Sequence, residues 1–390
     1  MLMSRTIVIA QGGGPTAVIN QTMAGAVVEA RRRDPGVRIL GALHGVRGVR
    51  DGKFVDLGAL PDDQLMRIAN TPSAALGSTR DKPDAAYCEQ VLGGLKKVDA
   101  SAFIYIGGND TAGTQAILSD ASAGTIACVH APKTIDNDLM ENDHTPGFIS
   151  AGEFVASAFL SVDLDFRALP GIYVGIVMGR HAGFLTAAAS AWRLAEDGGP
   201  HLTYVPERAF DRARFVDDIR NVMARHGRCI VAMSEGVSGA NGRSLVENLV
   251  PADMLERDAH GNVRLSGTDL GQAIERILAE DLAGTRSRVD TLGYLPRGAI
   301  SMISETDQRE AFNAGRFSIE VADSGSGSVA LQYFGGETKP ALVPLEQVAG
   351  KTRHMPDGFL EAHENRISSE GMEYLERLLP RRFEPGKPFV

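Results

Sequence analysis

Seven residues in the middle of the chain hold the densest group of chemically useful side chains. The segment 132–138, PKTIDND, contains two carboxylates, an amide, a hydroxyl and an ammonium group. Asp136 and Asp138 are two residues apart, so in an extended segment they point the same way and form a paired site for a metal ion or for proton abstraction. Lys133 supplies a compact positive charge suited to phosphate oxygens. A turn stabilised only by its own Asx side chains is the alternative, and the glycine-rich segments described next argue against it.

Two glycine-rich segments indicate that this chemistry involves an anion. Residues 12–14 and 107–108 each follow a short apolar run and precede a helical pattern. Glycines let backbone N–H groups approach an anion closely, and the N-terminus of the following helix adds partial positive charge. The first segment matches neither the dinucleotide-binding nor the Walker pattern. A tight turn without a ligand is the alternative for the first segment, and helix capping by Asp110 and Thr111 is the alternative for the second.

Charged and hydroxylic side chains recur at later positions of the same kind. Each of the segments 178–183 (MGRHAG), 234–236 (SEG) and 292–298 (LGYLPRG) follows the pattern of a buried strand. A lone arginine is usually a solvated surface charge, and a lone tyrosine usually belongs to the core. Because ligands of open α/β sheets collect at the carboxyl ends of strands, the recurrence of such residues at several strand ends predicts a functional site.

The elements that position these segments follow an alternating pattern. Short β-branched runs alternate with longer amphipathic segments, which is typical of parallel α/β units. The predicted strands are 6–10, 102–106, 125–130, 171–178, 202–205 and 229–233, and the run 289–295 closes the series. The predicted helices are 17–33, 111–120, 181–194, 215–226 and 271–282. The pattern breaks near 150–165, where we expect a domain boundary, and it weakens after Gly336.

Composition limits the class of protein. The 390 residues have a formal net charge of −9, with 43% hydrophobic and 23% charged residues, as in ordinary globular proteins. An acidic balance without a basic block argues against nucleic-acid and membrane partners. Three cysteines far apart, without metal-ligand spacing, favour a reducing cytoplasm over a disulfide framework. The uncharged stretch 6–28 contains glycines, a proline, Gln11 and Asn20, so it does not predict a membrane span or a signal segment.

Taken in order, the motifs GGGPTAVIN, GSTR, GGND, PKTIDND, MGRHAG, SEG and LGYLPRG resemble those of the phosphofructokinases from about residue 5 to about residue 335. The resemblance implies an α/β fold of two Rossmann-like three-layer domains with mostly parallel sheets. It also implies Mg²⁺-dependent phosphoryl transfer to O1 of fructose 6-phosphate. We expect a donor-binding domain at 1–150, rejoined by about 285–335, a sugar-phosphate domain at 151–284 and a C-terminal extension at 336–390. A cytoplasmic homodimer or homotetramer follows from the same resemblance.

The resemblance implies roles for individual residues as well. Asp136 matches the general base that takes the proton of the sugar 1-hydroxyl. Thr134 and Asp138 flank it and match residues that contact sugar phosphate and support the metal site. Asn109 stands where most relatives carry a metal-associated aspartate, and an amide oxygen is a weaker ligand of Mg²⁺ than a carboxylate.

The remaining matches concern substrate binding. Residues on the donor-phosphate side match Gly12, Gly13 and Arg80. The family residues that bind the sugar, one of which accepts a hydrogen bond from a sugar hydroxyl, correspond to Met178, Gly179, Arg180 and Glu235. The family residues that bind the 6-phosphate correspond to Arg288, Tyr294 and Arg297. Gly171 falls where many relatives place an arginine that reaches a neighbouring subunit, and Arg167 is a candidate substitute.

Two positions predict the phosphoryl donor. Users of ATP resemble GGDGS and GTIDND, whereas users of pyrophosphate resemble GGDD and PKTIDND, with tyrosine where ATP users often have histidine. This chain has Asp110 and Lys133 at those two positions, and Tyr294 in place of the histidine. An aspartate in place of glycine blocks and repels the α-phosphate of ATP, and a lysine can stabilise a leaving phosphate. The sequence therefore predicts a pyrophosphate-dependent enzyme of glycolysis and gluconeogenesis. An ATP-dependent sugar-phosphate kinase and a non-catalytic sugar-phosphate sensor are the alternatives.

Overall fold

The computed structural model describes residues 5–249, 267–381 and 386. The chain divides into two compact units, one formed by Met1–Ala151 with Arg297–Arg353 and the other by Gly152–Pro296 with His354–Val390. Both units have a mostly parallel sheet with helices packed on it, so the expected α/β class is confirmed. Among the described residues, no helix is long and apolar enough to cross a membrane.

The strands alternate with helices along most of the chain. The described strands are β1 Thr6–Gln11, β2 Arg38–Ala42, β3 Phe54–Asp56, β4 Ala100–Gly107, β5 Ala127–Pro132, β6 Ile172–Val177, β7 Leu202–Tyr204, β8 Cys229–Ser234, β9 Ser287–Thr291, β10 Gly327–Phe334 and β11 Glu337–Val343. The described helices are α1 Ile19–Arg33, α2 Val46–Arg50, α3 Asp62–Ala69, α4 Ala85–Lys97, α5 Asn109–Ser122, α6 Phe148–Ala168, α7 Phe184–Ala187, α8 Arg212–His226, α9 Leu245–Leu249, α10 Gly267–Asp281, α11 Glu305–Ser324, α12 Leu345–Val348 and α13 Ser369–Leu378.

The sheet of the first unit has the order β11-β10-β5-β4-β1-β2-β3 and is parallel except at its two edges. Its residues alternate between two apolar layers because successive strand side chains point to opposite faces. On one face Ile7 and Ile104 pack in the core that includes α1 and α11. On the other face Val8 and Phe103 pack in the core that includes α2 and α4. The first unit is therefore a three-layer sandwich.

The connections of this sheet create a crevice. β1 and β4 are neighbours, but the chain leaves β1 toward β2 on one side and leaves β4 toward β5 on the other. The loops that follow these two strands consequently diverge, and such a switch point is where open α/β sheets bind ligands. The two glycine-rich segments 12–14 and 107–108 lie at this point.

The sheet of the second unit is parallel throughout, in the order β7-β8-β6-β9. One face carries the core to which Val174 and α10 contribute. Tyr173 points to the opposite face and packs edge-on against Phe159 and Phe166 of α6. Because Val174 and Tyr173 are successive residues that point to opposite faces, helices pack on both faces of this sheet as well.

Three sequence-based expectations need correction. The helix expected at 181–194 is only α7 and one 3₁₀ turn, Ala188–Ser190, because this stretch is buried on all sides and tertiary packing outweighs its helical propensity. The chain returns to the first unit at Arg297 rather than at about 285, because β9 pairs with β6. The described residues 336–381 do not form a separate extension, since β11 pairs with β10 and the Trp192 indole N–H donates to the Leu379 carbonyl.

Candidate functional site

The first glycine-rich loop is held tightly at the switch point of the first unit. The Gly12 N–H donates to the Ile106 carbonyl at 2.9 Å, and the Gly13 N–H donates to the Thr79 carbonyl at 3.0 Å. A Cβ on Gly12 would lie 2.6 Å from the hydroxyl of Tyr105. Gly13 has a φ of +74°, a conformation that L side chains rarely adopt. These contacts explain why the loop is built from glycine.

Lys133 points toward the same loop. Its Nζ donates to the Gly14 carbonyl at 2.7 Å, and the side chain is buried, with 3% exposure of the residue. Burial, together with the nearby charge of Arg297, lowers the pKa of Lys133 to about 8, although Asp136 and Asp138 act in the opposite direction. The fold therefore holds this ammonium group near its titration point, where small changes in local charge alter its protonation.

The two carboxylates of the 133–147 loop influence each other. Burial and the negative charge of Asp136 raise the pKa of Asp138 to about 7. The backbone N–H of Asp136 donates to the Thr134 hydroxyl at 3.1 Å. Asn137, between the two aspartates, is fully buried and has a left-handed φ of +58°. Asp138 can thus exchange a proton near neutral pH when no cation is bound beside it.

Asn109 connects the second glycine-rich loop to this pair. Its Nδ2 donates to Asp138 Oδ2 at 3.0 Å, and its Oδ1 is buried without a hydrogen-bond partner. A buried oxygen of this kind suits a hard cation, because amide and carboxylate oxygens are the ligands that Mg²⁺ accepts beside water and phosphate. Within the described ranges, no group of three or more His, Cys, Asp or Glu residues could hold a metal alone. A bound ion would therefore depend on substrate oxygens as well.

Asp110 and Arg80, expected on the donor side, are both exposed. Asp110 lies in the first turn of α5, and its carboxylate is 3.3 Å from the ammonium of Lys82. The charge of Arg80 contributes to the lowered pKa of Lys133. The alternative that Asp110 or Thr111 caps α5 is not supported, because the cap position is Gly108 and no side-chain cap bond is formed there.

Arg297 also belongs to the first unit, although the resemblance groups it with Arg288 and Tyr294. A Cβ on Gly14 would lie 2.9 Å from its guanidinium carbon, so the guanidinium covers the first glycine-rich loop. Its charge also lowers the pKa of Lys133. The structure therefore brings Arg297 together with the groups expected to bind the donor.

In the second unit, two loops cross in close contact beyond β6 and β8. The Ser234 hydroxyl donates to the Gly179 carbonyl at 2.5 Å, and a Cβ on Gly236 would lie 2.1 Å from the Arg180 carbonyl. Met178 ends the strand pattern with 8% exposure, and Glu235 is half-buried. The structure thus brings together Met178, Gly179, Arg180 and Glu235, the residues that the resemblance assigns to the sugar.

The other predicted residues of the second unit lie along its edge strand. Arg288, on β9, is exposed and pairs with Asp290 at 2.8 Å. Tyr294 is 69% exposed, just beyond the same strand. Gly171 is a close-packing position, since a Cβ there would lie 2.7 Å from the Arg286 carbonyl. Arg167 makes ion pairs within the second unit to Asp163 and Asp197, at 3.1 and 3.2 Å, so its guanidinium has a local structural role.

Two supporting residues were not found from the sequence. Glu207 accepts hydrogen bonds from the N–H groups of Gly183 and Met355, at 2.9 and 2.8 Å, at the end of the MGRHAG segment. Arg353 binds backbone oxygens of the 133–147 loop. Both act over long sequence separations and neither belongs to a glycine-rich motif, so no local signal marked them.

Comparisons with known proteins identify the family of the chain. The family model described as Phosphofructokinase matches residues 6–321. The chain is 49% identical to the pyrophosphate–fructose 6-phosphate 1-phosphotransferase of Rhodospirillum rubrum, covering 96% of this chain and 94% of that protein. It is 32% identical to the enzyme of the same name from Xanthomonas campestris, covering 96% and 91%. The structure of the pyrophosphate-dependent phosphofructokinase of Nitrosospira multiformis matches with a TM-score of 0.85 and 28% identity, covering 99% of this chain and 95% of that one. The chain belongs to the phosphofructokinase family.

Proposed function

We propose that the chain transfers a phosphoryl group from pyrophosphate to O1 of fructose 6-phosphate, giving fructose 1,6-bisphosphate and phosphate. The reaction is reversible and serves glycolysis and gluconeogenesis. The observation that carries the proposal is the buried Lys133 ammonium. It donates a hydrogen bond to the glycine-rich loop and interacts electrostatically with the carboxylates of Asp136 and Asp138. Phosphoryl transfer requires this combination of positioning and charge neutralisation rather than covalent participation of the protein.

Asp136 is the proton acceptor in this proposal. It takes the proton of the sugar 1-hydroxyl while O1 forms a bond to phosphorus and the bond from that phosphorus to the bridging oxygen breaks. Thr134 fixes the backbone of Asp136 through its hydroxyl and supports contact with sugar phosphate.

The donor side consists of groups from the first unit. Backbone N–H groups near Gly12 and Gly13, together with Arg80, bind the donor phosphates, and Lys133 stabilises the transferring group and the leaving phosphate. Arg297 adds positive charge over Gly14. Enzymes of this family typically use a divalent metal ion.

We propose that this ion is Mg²⁺, which when bound neutralises the charge of the donor phosphates. The buried Oδ1 of Asn109 and the adjacent Asp138 would hold it, together with oxygens of the donor. Amide coordination of the ion would be weaker than coordination by the aspartate common in relatives, so the donor oxygens carry more of the binding.

Donor choice depends on Asp110 and Lys133. The exposed carboxylate of Asp110, at the start of α5, repels and obstructs the α-phosphate of ATP, which pyrophosphate lacks. The names of the relatives from Rhodospirillum rubrum and Xanthomonas campestris support the same donor.

The sugar side consists mainly of groups from the second unit. Met178, Gly179 and Arg180 bind the sugar, and Glu235 accepts a hydrogen bond from a sugar hydroxyl. Arg288 and Tyr294 bind the 6-phosphate, to which Arg297 also contributes. Exposed arginines suit this task, because a phosphate dianion is recognised by charge-assisted hydrogen bonds from guanidinium groups.

A donor assay tests the proposal. The purified protein is given fructose 6-phosphate and Mg²⁺ with either pyrophosphate or ATP at equal concentration, and fructose 1,6-bisphosphate is measured. We expect product with pyrophosphate and little with ATP. Product with ATP alone would favour an ATP-dependent kinase. No product with either donor, together with sugar-phosphate binding by calorimetry, would favour a sensor.

Assembly and location belong to the same proposal. We infer a homodimer or homotetramer in the cytoplasm, acting on small molecules rather than on nucleic acid or a membrane. Analytical ultracentrifugation of the purified protein tests the assembly, and a monomer at micromolar concentration would contradict it.

A further inference from the structure

The loop between β5 and α6 has two limbs, 133–138 and 139–147, that are tied at its base. The Thr134 N–H donates to the Pro146 carbonyl at 3.2 Å, and the Thr145 hydroxyl donates to the Thr134 carbonyl at 2.8 Å. These bonds fix the first residues of the loop. They do not involve the stretch 137–138, where the chain must reverse and where the second carboxylate is carried.

Arg353 supplies contacts at that end of the loop. Its backbone N–H donates to the Asp138 carbonyl at 2.8 Å. Its guanidinium Nη1 lies 2.7 Å from the Asp143 carbonyl, 3.3 Å from Asn137 Oδ1 and 3.4 Å from the Asn137 carbonyl. One side chain and its own N–H therefore connect the outgoing limb to the returning limb.

The residue of the outgoing limb that the Arg353 guanidinium contacts has an unusual backbone conformation. Asn137 is fully buried and has a φ of +58°, a left-handed conformation that few L residues adopt and that Asn tolerates better than most. Such a conformation persists where surrounding contacts determine it. Asn137 separates the two aspartates, so its conformation sets the direction of Asp136 relative to Asp138.

We propose that Arg353 is a positioning residue that holds Asp136 and Asp138 in their reactive arrangement by fixing Asn137 from outside the loop. The inference rests on the proposed function, because it assigns the loop its role as general base. Arg353 lies beyond residues 6–321, which the family model matches. Its effect on the reaction passes through the loop backbone.

Matched variants separate positioning from substrate binding. Arg353→Ala removes the guanidinium, and Arg353→Lys keeps the charge but replaces a planar fork by a point charge that does not bridge several carbonyls. Lys351→Ala is the control, since Lys351 is an exposed cation two residues away. We expect both Arg353 variants to lower kcat by about 10-fold or more with each KM within about threefold of wild type, whereas the control stays within about twofold.

Chemical rescue distinguishes a lost guanidinium from general damage. Guanidinium chloride at tens of millimolar, far below denaturing concentration, should restore part of the kcat of Arg353→Ala, whereas methylammonium at the same concentration should not. A variant with kcat within twofold of wild type would overturn the inference. So would a rise of both KM values with kcat unchanged, because Arg353 would then act in binding.

Hydrogen exchange tests the inference without relying on activity. In Arg353→Lys, the amides of residues 134–145 should exchange about 10-fold faster than in wild type, while amides of β1 and β4 keep their protection. Unchanged exchange in the loop would overturn the inference even if activity fell. A wild type inactive with pyrophosphate and ATP would instead contradict the proposed function, and the exchange result would still decide whether Arg353 holds the loop.

Discussion

The loop after β5 and the loops after β6 and β8 differ in how far they bury their charged functional side chains. In the first unit, Lys133 and Asp138 are largely removed from solvent, and burial moves both pKa values toward neutrality. In the second unit, the backbone is packed closely around Gly179 and Gly236, but Arg180 extends into solvent.

The difference matches the work proposed for each side. The proposed base Asp136 lies in the same loop as Lys133 and Asp138, and burial is the means by which a fold shifts the pKa values of such groups. A group that binds a phosphate needs only a permanent charge in the right place, and arginine has this in water. The first unit therefore uses burial to tune protonation, whereas the second uses a rigid backbone to aim exposed side chains.

Loss of the base should give the largest effect. Asp136→Asn keeps the shape of the side chain and removes its proton affinity, so kcat should fall by about 10²–10⁴-fold while each KM changes far less. Steady-state kinetics with pyrophosphate and fructose 6-phosphate measure this. Activity within a few-fold of wild type would show that Asp136 is not the base and that burial in this loop has another purpose.

The sequence predicted the strands that are buried on both faces, such as β1, β4 and β8, because continuous apolar runs mark them. It did not predict β3 or β11, whose exposed residues lack that pattern. Both are antiparallel edge strands, and pairing with a neighbour rather than their own composition defines them. The gathering of functional segments at strand ends was likewise predictable from the topology of α/β sheets.

The interactions that tune the candidate site were not predictable. The bond from Lys133 to Gly14 spans 119 residues, and that from Arg353 to Asn137 spans 216. A motif gives the types of neighbouring residues, but burial and distant charges determine a pKa. The position of Arg297 over Gly14 is a further example, since its motif suggested only a sugar-phosphate contact.

Donor preference should change next most. Asp110→Gly should lower turnover with pyrophosphate and reveal some activity with ATP, because the obstructing carboxylate is gone. Lys133→Gly alone should reduce pyrophosphate use, by about 10²-fold, without admitting ATP. The double variant should shift the ratio of kcat/KM values toward ATP further than either change alone, and non-additively if the two side chains share a site. An unchanged ratio in the double variant would refute the explanation by two residues.

Two arginines test the comparison between the units directly. Arg180→Ala should raise KM for fructose 6-phosphate about 10-fold and leave KM for pyrophosphate unchanged, since a charge-assisted bond to the sugar side is lost. Arg297→Ala should raise both KM values, because Arg297 is proposed to contact the 6-phosphate and its guanidinium also lies over Gly14. Initial rates with each substrate varied in turn measure the two constants. A rise for pyrophosphate alone in Arg297→Ala would remove this residue from the sugar side.

The smallest expected effect is a shift in pH dependence. Burial lowers the pKa of Lys133 from 10.5 to about 8, so the ammonium is present below that pH and lost above it. We expect kcat/KM for pyrophosphate to fall above about pH 8 as this charge disappears. Lys133→Arg keeps the charge and should move the alkaline limb upward. Arg297→Ala removes a neighbouring positive charge that lowers this pKa and should move the limb in the same direction by less.

Arg180→Ala is the matched control, because an exposed arginine of the second unit should leave the limb in place. The same pKa shift predicts how stability depends on pH. Between about pH 8 and pH 10.5 the folded protein has lost the Lys133 proton that the unfolded chain still binds. The free energy of unfolding of wild type should therefore rise with pH in this range, relative to that of Lys133→Met. Thermal unfolding at several pH values measures this difference. An alkaline limb that stays at the same pH in Lys133→Arg would assign it to another group, and the contrast between tuned and exposed charges would then lose its principal example.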